Sequence, residues 1–373
     1  MIAAAFLIVC AVLNSGTVKI AFYGVDGRVQ AAVQSEVGKM NLRRVKYTVL
    51  DAGAPLPKNV HKKHSILIAK NSLAVKNRAR DFAPPNEALF DALPISIRKA
   101  TELESGGHYA LPILLGHFEM AYYETARSKL GLSVPQSYGA LLRYLERVKE
   151  TAEIPLVCAG AEDPELFGFV SAMSESLWGA EGYKKMLAAA RESSALNKNT
   201  LPESLTRVLD EVKAMQKSGL LFSKWTKVSL RDLRYFMQER KLGAAAMFLS
   251  DRREIEYNLI KYYSSNFFPR YDNAEVHGII APQTVACLLS KKSGAALLLG
   301  QLVSSDAQES LSNLSQLAPT GSRAEAFDRQ ADDVRFWAAS SSAGALGGIE
   351  EECDVSKERL HALAQRIRAY LEN

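Results

Sequence analysis

What most limits the fold of this chain is the order of elements in its first seventy residues. "VKIAFYG" (Val18–Gly24) is a short, nearly continuous apolar run closed by glycine, the pattern of a strand covered on both faces. "DGRVQAAVQSEVGKMN" follows, with Val29, Val33 and Val37 at i, i+4 and i+8 on one helical face and Gly38 close to a stop. "RRVKYTVLDAG" and "SILIAKNS" then supply a second and a third strand. Strand, helix and strand joined by short links predict a doubly wound α/β sheet. Ligands of such sheets collect at the carboxyl ends of the strands, which here carry Tyr23–Asp26 and Lys70–Ser72. The first strand runs into "YGVDG" and not into GxGxxG, so a dinucleotide fold has no support.

At 373 residues the chain exceeds what one hydrophobic core usually supports, so two lobes are expected. Helical periodicity dominates Ser137–Ala245. "SYGALLRYLERVKE" has Ser137 as a candidate N-cap, and "SLTRVLDEVKAMQKSG" ends at Gly219. Between and after these helices, "IPLVCAG" and "KLGAAAMFLSD" read as strands. The net charge of +5 is mild. Lys and Arg are scattered apart from "HKKH" (His61–His64) and "RARD" (Arg78–Asp81), which excludes a nucleic-acid footprint. The six histidines include no HExxH, and the four cysteines no CxxC, so no metal or other cofactor is expected. No GxSxG, Cys/His pairing or paired-carboxylate signature marks an enzyme. "MIAAAFLIVCAVLNSG" carries an apolar run of the length of a signal h-region but lacks a basic n-region. Residues 1–16 are therefore expected to be a signal or lipoprotein-like segment, with Cys10 in "LIVC" the lipidated residue. A buried first strand is the alternative.

"YALPILLGHFEMAYY" (Tyr109–Tyr123) is an apolar run broken by Pro112 and by a polar island at Gly116–His117. Either it is ordinary core or it leaves one lobe and enters another. The ordered series "YALP…MAYY…KLGLSVPQSYGALLRYLERVKE…IPL", then "RKLGAAAMFLSD", "SNFFPR" and "LLSKKSGAALLLGQLVSSDAQESLSNLSQLAPT", resembles extracellular solute-binding proteins of ABC importers, in their maltose-type cluster. The likeness covers Val18 to the C-terminus. It implies an α/β periplasmic-binding-protein-like fold of two lobes with a ligand cleft between them and three crossover segments, at Leu111–Gly116, Asn266–Arg270 and Leu317–Thr320. Lobe 1 would be 17–111 plus 270–316, and lobe 2 would be 112–269 plus 317–373.

The resemblance also implies a function. A periplasmic or extracytoplasmic monomer, anchored by its N-terminal lipid, would capture a sugar, polyol or glycerophosphodiester-like solute by lobe closure and pass it to an inner-membrane permease. A surface lipoprotein that keeps the fold without transport, and a hydrolase in the same cleft, are the alternatives. Trp337 in "DDVRFWAASSSAGALGG" occupies the place of an "FW" pair whose indole stacks on a sugar ring in maltose-type relatives. Tyr23, Asp26 and Asn71 follow the first and third strands, Asp163 follows "IPLVCAG", and Ser250–Asp251 close "AAMFLSD". Tyr122 is expected to face the cleft, since Tyr122 and Tyr123 alternate across a strand and at most one can do so. Arg335 would pair with a charged group on the ligand. Relatives that bind glycerol phosphodiesters place a tyrosine where this chain has Leu317, so ligand specificity does not transfer.

Overall fold

In a computed structural model, the protein is described over residues 17–40, 42, 44–195, 200–272, 276–290, 293–353 and 356–373. Cys10 and the signal-like segment lie outside them. The strands are β1 (Val18–Tyr23), β2 (Val45–Val49), β3 (Ile66–Lys70), β4 (Leu111–Leu115), β5 (Phe118–Tyr123) and β6 (Ile154–Cys158). After a long helical stretch come β7 (Leu242–Phe248), β8 (Tyr263–Phe267), β9 (Gly278–Ile280), β10 (Gln283–Leu288), β11 (Ala318–Pro319) and β12 (Gly344–Leu346). The chain divides into two compact units.

The first unit holds the described residues up to Gly116 together with Pro282–Ala339. Its sheet has the order β11-β4-β10-β3-β1-β2. β1 runs parallel to β2 and β3, whereas β10 is antiparallel to β3 and β4. Helix α1 (Gly27–Lys39) makes the β1–β2 crossover, and the expected stripe of Val29, Val33 and Val37 is its buried face. These valines pack with Ile20, Phe22, Ile66, Ile68 and Ile113 in one apolar cluster. β2 is the sheet edge and is largely exposed, which suits its alternating lysine and tyrosine.

Pro112 has no N–H to give the ladder. The β4–β10 register slips between Thr284 and Val285, with Val285 facing Pro112, and the Pro112 carbonyl accepts the Thr320 hydroxyl at 3.0 Å. Fully buried Gln308 on the helix Ser305–Ser315 closes the same corner. Its Nε2 donates to the carbonyls of Ile113 (2.9 Å) and Leu302 (2.6 Å), and its Oε1 accepts the N–H groups of Thr320 (2.7 Å) and Gly321 (3.2 Å).

The second unit holds His117–Ala281 and Ser340–Asn373. Its four-stranded sheet has the order β6-β7-β5-β8, with β6 and β7 parallel and β5 antiparallel to both its neighbours; β9 and β12 form a separate parallel pair. Helix α2 (Tyr138–Val148) starts at Ser137, whose side chain accepts the Ala140 N–H as predicted. α3 (Asp163–Ala195) is broken at Gly179, where φ is 67°. α4 (Glu203–Lys217) and α5 (Leu230–Gln238) follow. Tyr122, Tyr144, Phe169, Trp225 and Val148 are among the core side chains, and Gly243 is tight against it: a Cβ there would lie 2.0 Å from Val148 Cγ1. The C-terminal helix α6 (Lys357–Glu372) packs through Leu363, Ala364, Ile367 and Leu371. Among the described residues no helix is long and apolar enough to cross a membrane, and Cys158, Cys287 and Cys353 are buried free thiols.

The units meet in the sequence at 116/117, 281/282 and 339/340. The first junction adjoins the expected Leu111–Gly116, but the other two differ from expectation. Asn266–Arg270 belongs wholly to the second unit, since Asn266 and Phe267 pair with β5 in β8. Leu317–Thr320 belongs to the first, since Ala318 and Pro319 pair with β4. Residues 270–281 thus move out of the expected lobe 1, and residues 112–116 and 317–339 move into it. Apolar pattern indicates a strand but not the sheet that accepts it. Gln308→Leu should lower the unfolding free energy by about 3 kcal/mol, because two carbonyls and two N–H groups would lose their partners inside the fold. The urea midpoint at unchanged slope measures this, and a loss below about 1 kcal/mol would mean that the corner does not depend on the amide.

Candidate functional site

In the first unit, Tyr23 and Asn71 stand at the ends of the neighbouring strands β1 and β3. Tyr23 is buried and its hydroxyl donates to the Ala54 carbonyl at 2.9 Å; burial, then the Asp51 charge, pushes the phenol up from its ordinary value. Asn71 is engaged inside the unit: Oδ1 accepts the Tyr109 hydroxyl and Nδ2 donates to the Ala100 carbonyl at 3.2 Å. That buried network engages both ends of the amide. Asp26 is exposed and caps α1, accepting the Val29 N–H at 2.9 Å, a contact that contributes about 1 kcal/mol. The expectation for Arg335 is corrected. It is buried, and its Nη1 donates to the carbonyls of Gly321 (2.7 Å) and Ala324, so it braces a loop. Trp337 follows on the helix Arg329–Ser340 and is partly exposed, beside Phe336 at 60% exposure. This aromatic pair lies in the first unit, not the second.

The second unit gathers ionisable groups where β5 begins and β7 ends. His117 and Glu119 are fully buried, with Nδ1 and Oε2 3.3 Å apart, and Arg252 Nε approaches Glu119 Oε1 at 3.5 Å. Glu165, in the first turn of α3, accepts the Phe248 N–H at 3.3 Å and hydrogen-bonds Asp251, which follows β7. Burial, and after it the Asp251 carboxylate, holds Glu165 well above the usual carboxylate range, so it carries the proton between the two. Ser250 is partly exposed beside them. Glu175 accepts the Gly278 N–H at 2.8 Å, and burial pushes it up to about 7 against the pull of that N–H and of Arg270. Arg270 donates to His277 Nε2 at 2.6 Å, and His277 is held below its ordinary value by burial and then by Arg270, which fits a neutral acceptor ring.

Two expected residues of this unit serve its framework. Tyr122 is sealed in the core, edge-on to Tyr144 with ring centroids 5.3 Å apart. Strand alternation puts Phe118, Met120 and Tyr122 on one face, so the expectation for Tyr122 is corrected. Asp163 ties α6 to the start of α3, pairing with Arg368 at 2.7 Å and His361 at 2.6 Å. Of the expected residues in this unit, Asp251 joins the polar cluster, and Ser250 precedes it in the chain. His117, Glu119, Glu165, Glu175, Arg252 and Arg270 were not singled out from sequence. The usable signal was a charged residue inside an apolar strand, as in "HFEMAYY": an acid there cannot reach water and must be partnered.

The cluster can accept and donate hydrogen bonds, and Glu165 and Glu175 are engaged with a neighbouring carboxyl and with backbone N–H groups. Comparison with known proteins bears on the frame. No protein-family model matches the chain, and no curated protein sequence does. Solved structures match over nearly its whole length. The bacterial solute receptor AcbH, described as having an exclusive preference for β-D-galactopyranose, superposes with a TM-score of 0.79 at 12% identity, over 97% of this chain and 94% of its own. A probable secreted solute-binding lipoprotein from Streptomyces coelicolor gives 0.67 at 10% identity, over 96% and 98%. A sugar transporter from Bacillus licheniformis in complex with stachyose gives 0.62 at 13%, over 95% and 98%. The chain therefore has the α/β fold of bacterial solute-binding proteins, as expected.

Between pH 4.5 and about 7 the folded chain holds a proton on Glu175 that the unfolded chain has lost. The stability linked to this proton is full below pH 4.5, falls as pH rises and is gone above about 7. A displacement of that size corresponds to about 3 kcal/mol. Glu175→Gln keeps an acceptor for the Gly278 N–H, so it should match the native protein near pH 4.5 and be more stable at pH 8. Chemical unfolding at both pH values checks this, and parallel pH profiles would contradict it.

Proposed function

We propose that this protein is a solute receptor of an ABC-type importer, working outside the cytoplasmic membrane on a sugar, polyol or similar hydroxyl-rich solute. The observation that carries the reading is the near-complete likeness to AcbH, at a TM-score of 0.79 over 97% of the chain. The composition of the candidate site supports it. Partly exposed Ser250 and Asp251 suit hydroxyl groups, and Trp337 with Phe336 offers apolar ring surface for the C–H side of a sugar ring. In this reading the two units close on the solute, binding free energy drives the closure, and a membrane permease reads the closed form; no covalent step is needed. In this reading the lobes are the two compact units, with junctions at 116/117, 281/282 and 339/340. Tyr23, Asp26, Ser250, Asp251 and Trp337 remain the proposed ligand contacts, Cys10 the proposed lipid attachment point, and the monomer the proposed working form.

A matching solute at 100 times its dissociation constant should stabilise the fold by about 2.7 kcal/mol. A melting-temperature panel of galactose, stachyose, maltose, glycerol phosphate and glycerophosphodiesters tests this, and no shift at millimolar solute would overturn the receptor reading. With the bound solute identified, Trp337→Ala should weaken its affinity tenfold or more by calorimetry. Unchanged affinity would remove the indole from the site.

A further inference from the structure

At the far end of β5 from the residue where the chain enters the second unit lies a groove of about 740 Å³. That volume is within the range of roughly 300–1,000 Å³ typical of small-molecule sites. Tyr123, the last residue of β5, lines it with Tyr263 of β8, their rings 5.2 Å apart. α5 contributes Arg231, Arg234 and Tyr235, and the turn after it contributes Arg240. The segment before β8 adds Glu254, Glu256, Asn258 and Tyr262. Arg234 is committed to Glu254 at 3.0 Å. Among the described residues neither Arg231 nor Arg240 has an ion-pair partner, and the Arg240 guanidinium rests 5.3 Å from the Tyr262 ring centroid.

Arg240 is the informative residue. It follows the end of α5 with φ 55°, and Lys241 N–H reaches back to the Phe236 carbonyl at 3.1 Å. This is the helix-ending position where glycine is the ordinary choice, because any Cβ is strained there. A strained arginine whose guanidinium lies over an aromatic face at the edge of a groove is placed for an anion.

We propose that this groove is a second binding site, separate from the proposed receptor site, for a sugar carrying a carboxylate or phosphate. Arg240 would hold the oxyanion, and Arg231, about 13 Å away along α5, would donate to the solute at the other end of the groove. Tyr235, at 53% exposure, offers a flat surface to the ring, and Asn258 and Glu256 accept from its hydroxyls. The proposal stands on these residues alone and does not depend on the receptor reading.

Calorimetric titration of the full chain with glucose 6-phosphate, glucuronate, inorganic phosphate and glucose tests it. Glucose 6-phosphate or glucuronate should bind at least tenfold more tightly than inorganic phosphate or glucose. Arg240→Gly and Arg231→Ala should each weaken that binding tenfold or more. Arg240→Gly relieves the backbone strain, so its ligand-free melting temperature should be unchanged or higher, which separates lost binding from lost folding. No binding by the native chain up to 10 mM, binding of the sugar anions no tighter than inorganic phosphate, or native affinity in both variants would each overturn the assignment.

Discussion

One apolar run serves two sheets, and the rest of the structure depends on that division. Leu111–Leu115 pairs with β10 and β11, and Phe118–Tyr123 pairs with β7 and β8. Only Gly116 and His117 lie between. The Gly116 N–H donates to the Pro282 carbonyl at 2.7 Å, and a Cβ on Gly116 would sit 3.3 Å from that oxygen, so the main chain there can come close to the start of the next segment. A proline in β4 and a polar pair after it look like defects in a core strand. They are the features that let a strand end in one sheet and its continuation begin in another.

Charged side chains gather in the second unit where β5 begins. His117 and Glu119 open β5, and Asp251 and Arg252 follow β7, which pairs with it. Buried charges survive in such a place only when partnered, and here carboxyl, imidazole, guanidinium and backbone N–H groups partner one another. The raised Glu165 and Glu175 follow from the same crowding, since burial outweighs the hydrogen bonds that would hold them ionised.

Several residues that look like ligand contacts in sequence turn out to hold the frame. Asn71 joins Tyr109, Asp163 anchors the C-terminal helix, and Arg335 braces a loop. The reason is shared. The carboxyl end of a strand is also where a helix begins, and helix beginnings attract the same short polar side chains that bind solutes. Position along the chain cannot separate the two roles; the partner atoms can.

Local order was legible from residue pattern alone. The valine stripe of α1, the Ser137 cap and the apolar runs that became β1, β3, β6 and β7 depend on neighbours a few residues away. The break at Gly116–His117 was equally visible. What required the tertiary structure was partnership over long separations: that residues 318–319 pair with β4 and residues 263–267 with β5, that Glu165 meets Asp251, and that Tyr122 turns into the core. A strand's hydrogen-bonding edge is the same whatever its side chains, so hydrophobic periodicity names the strand while packing selects its sheet.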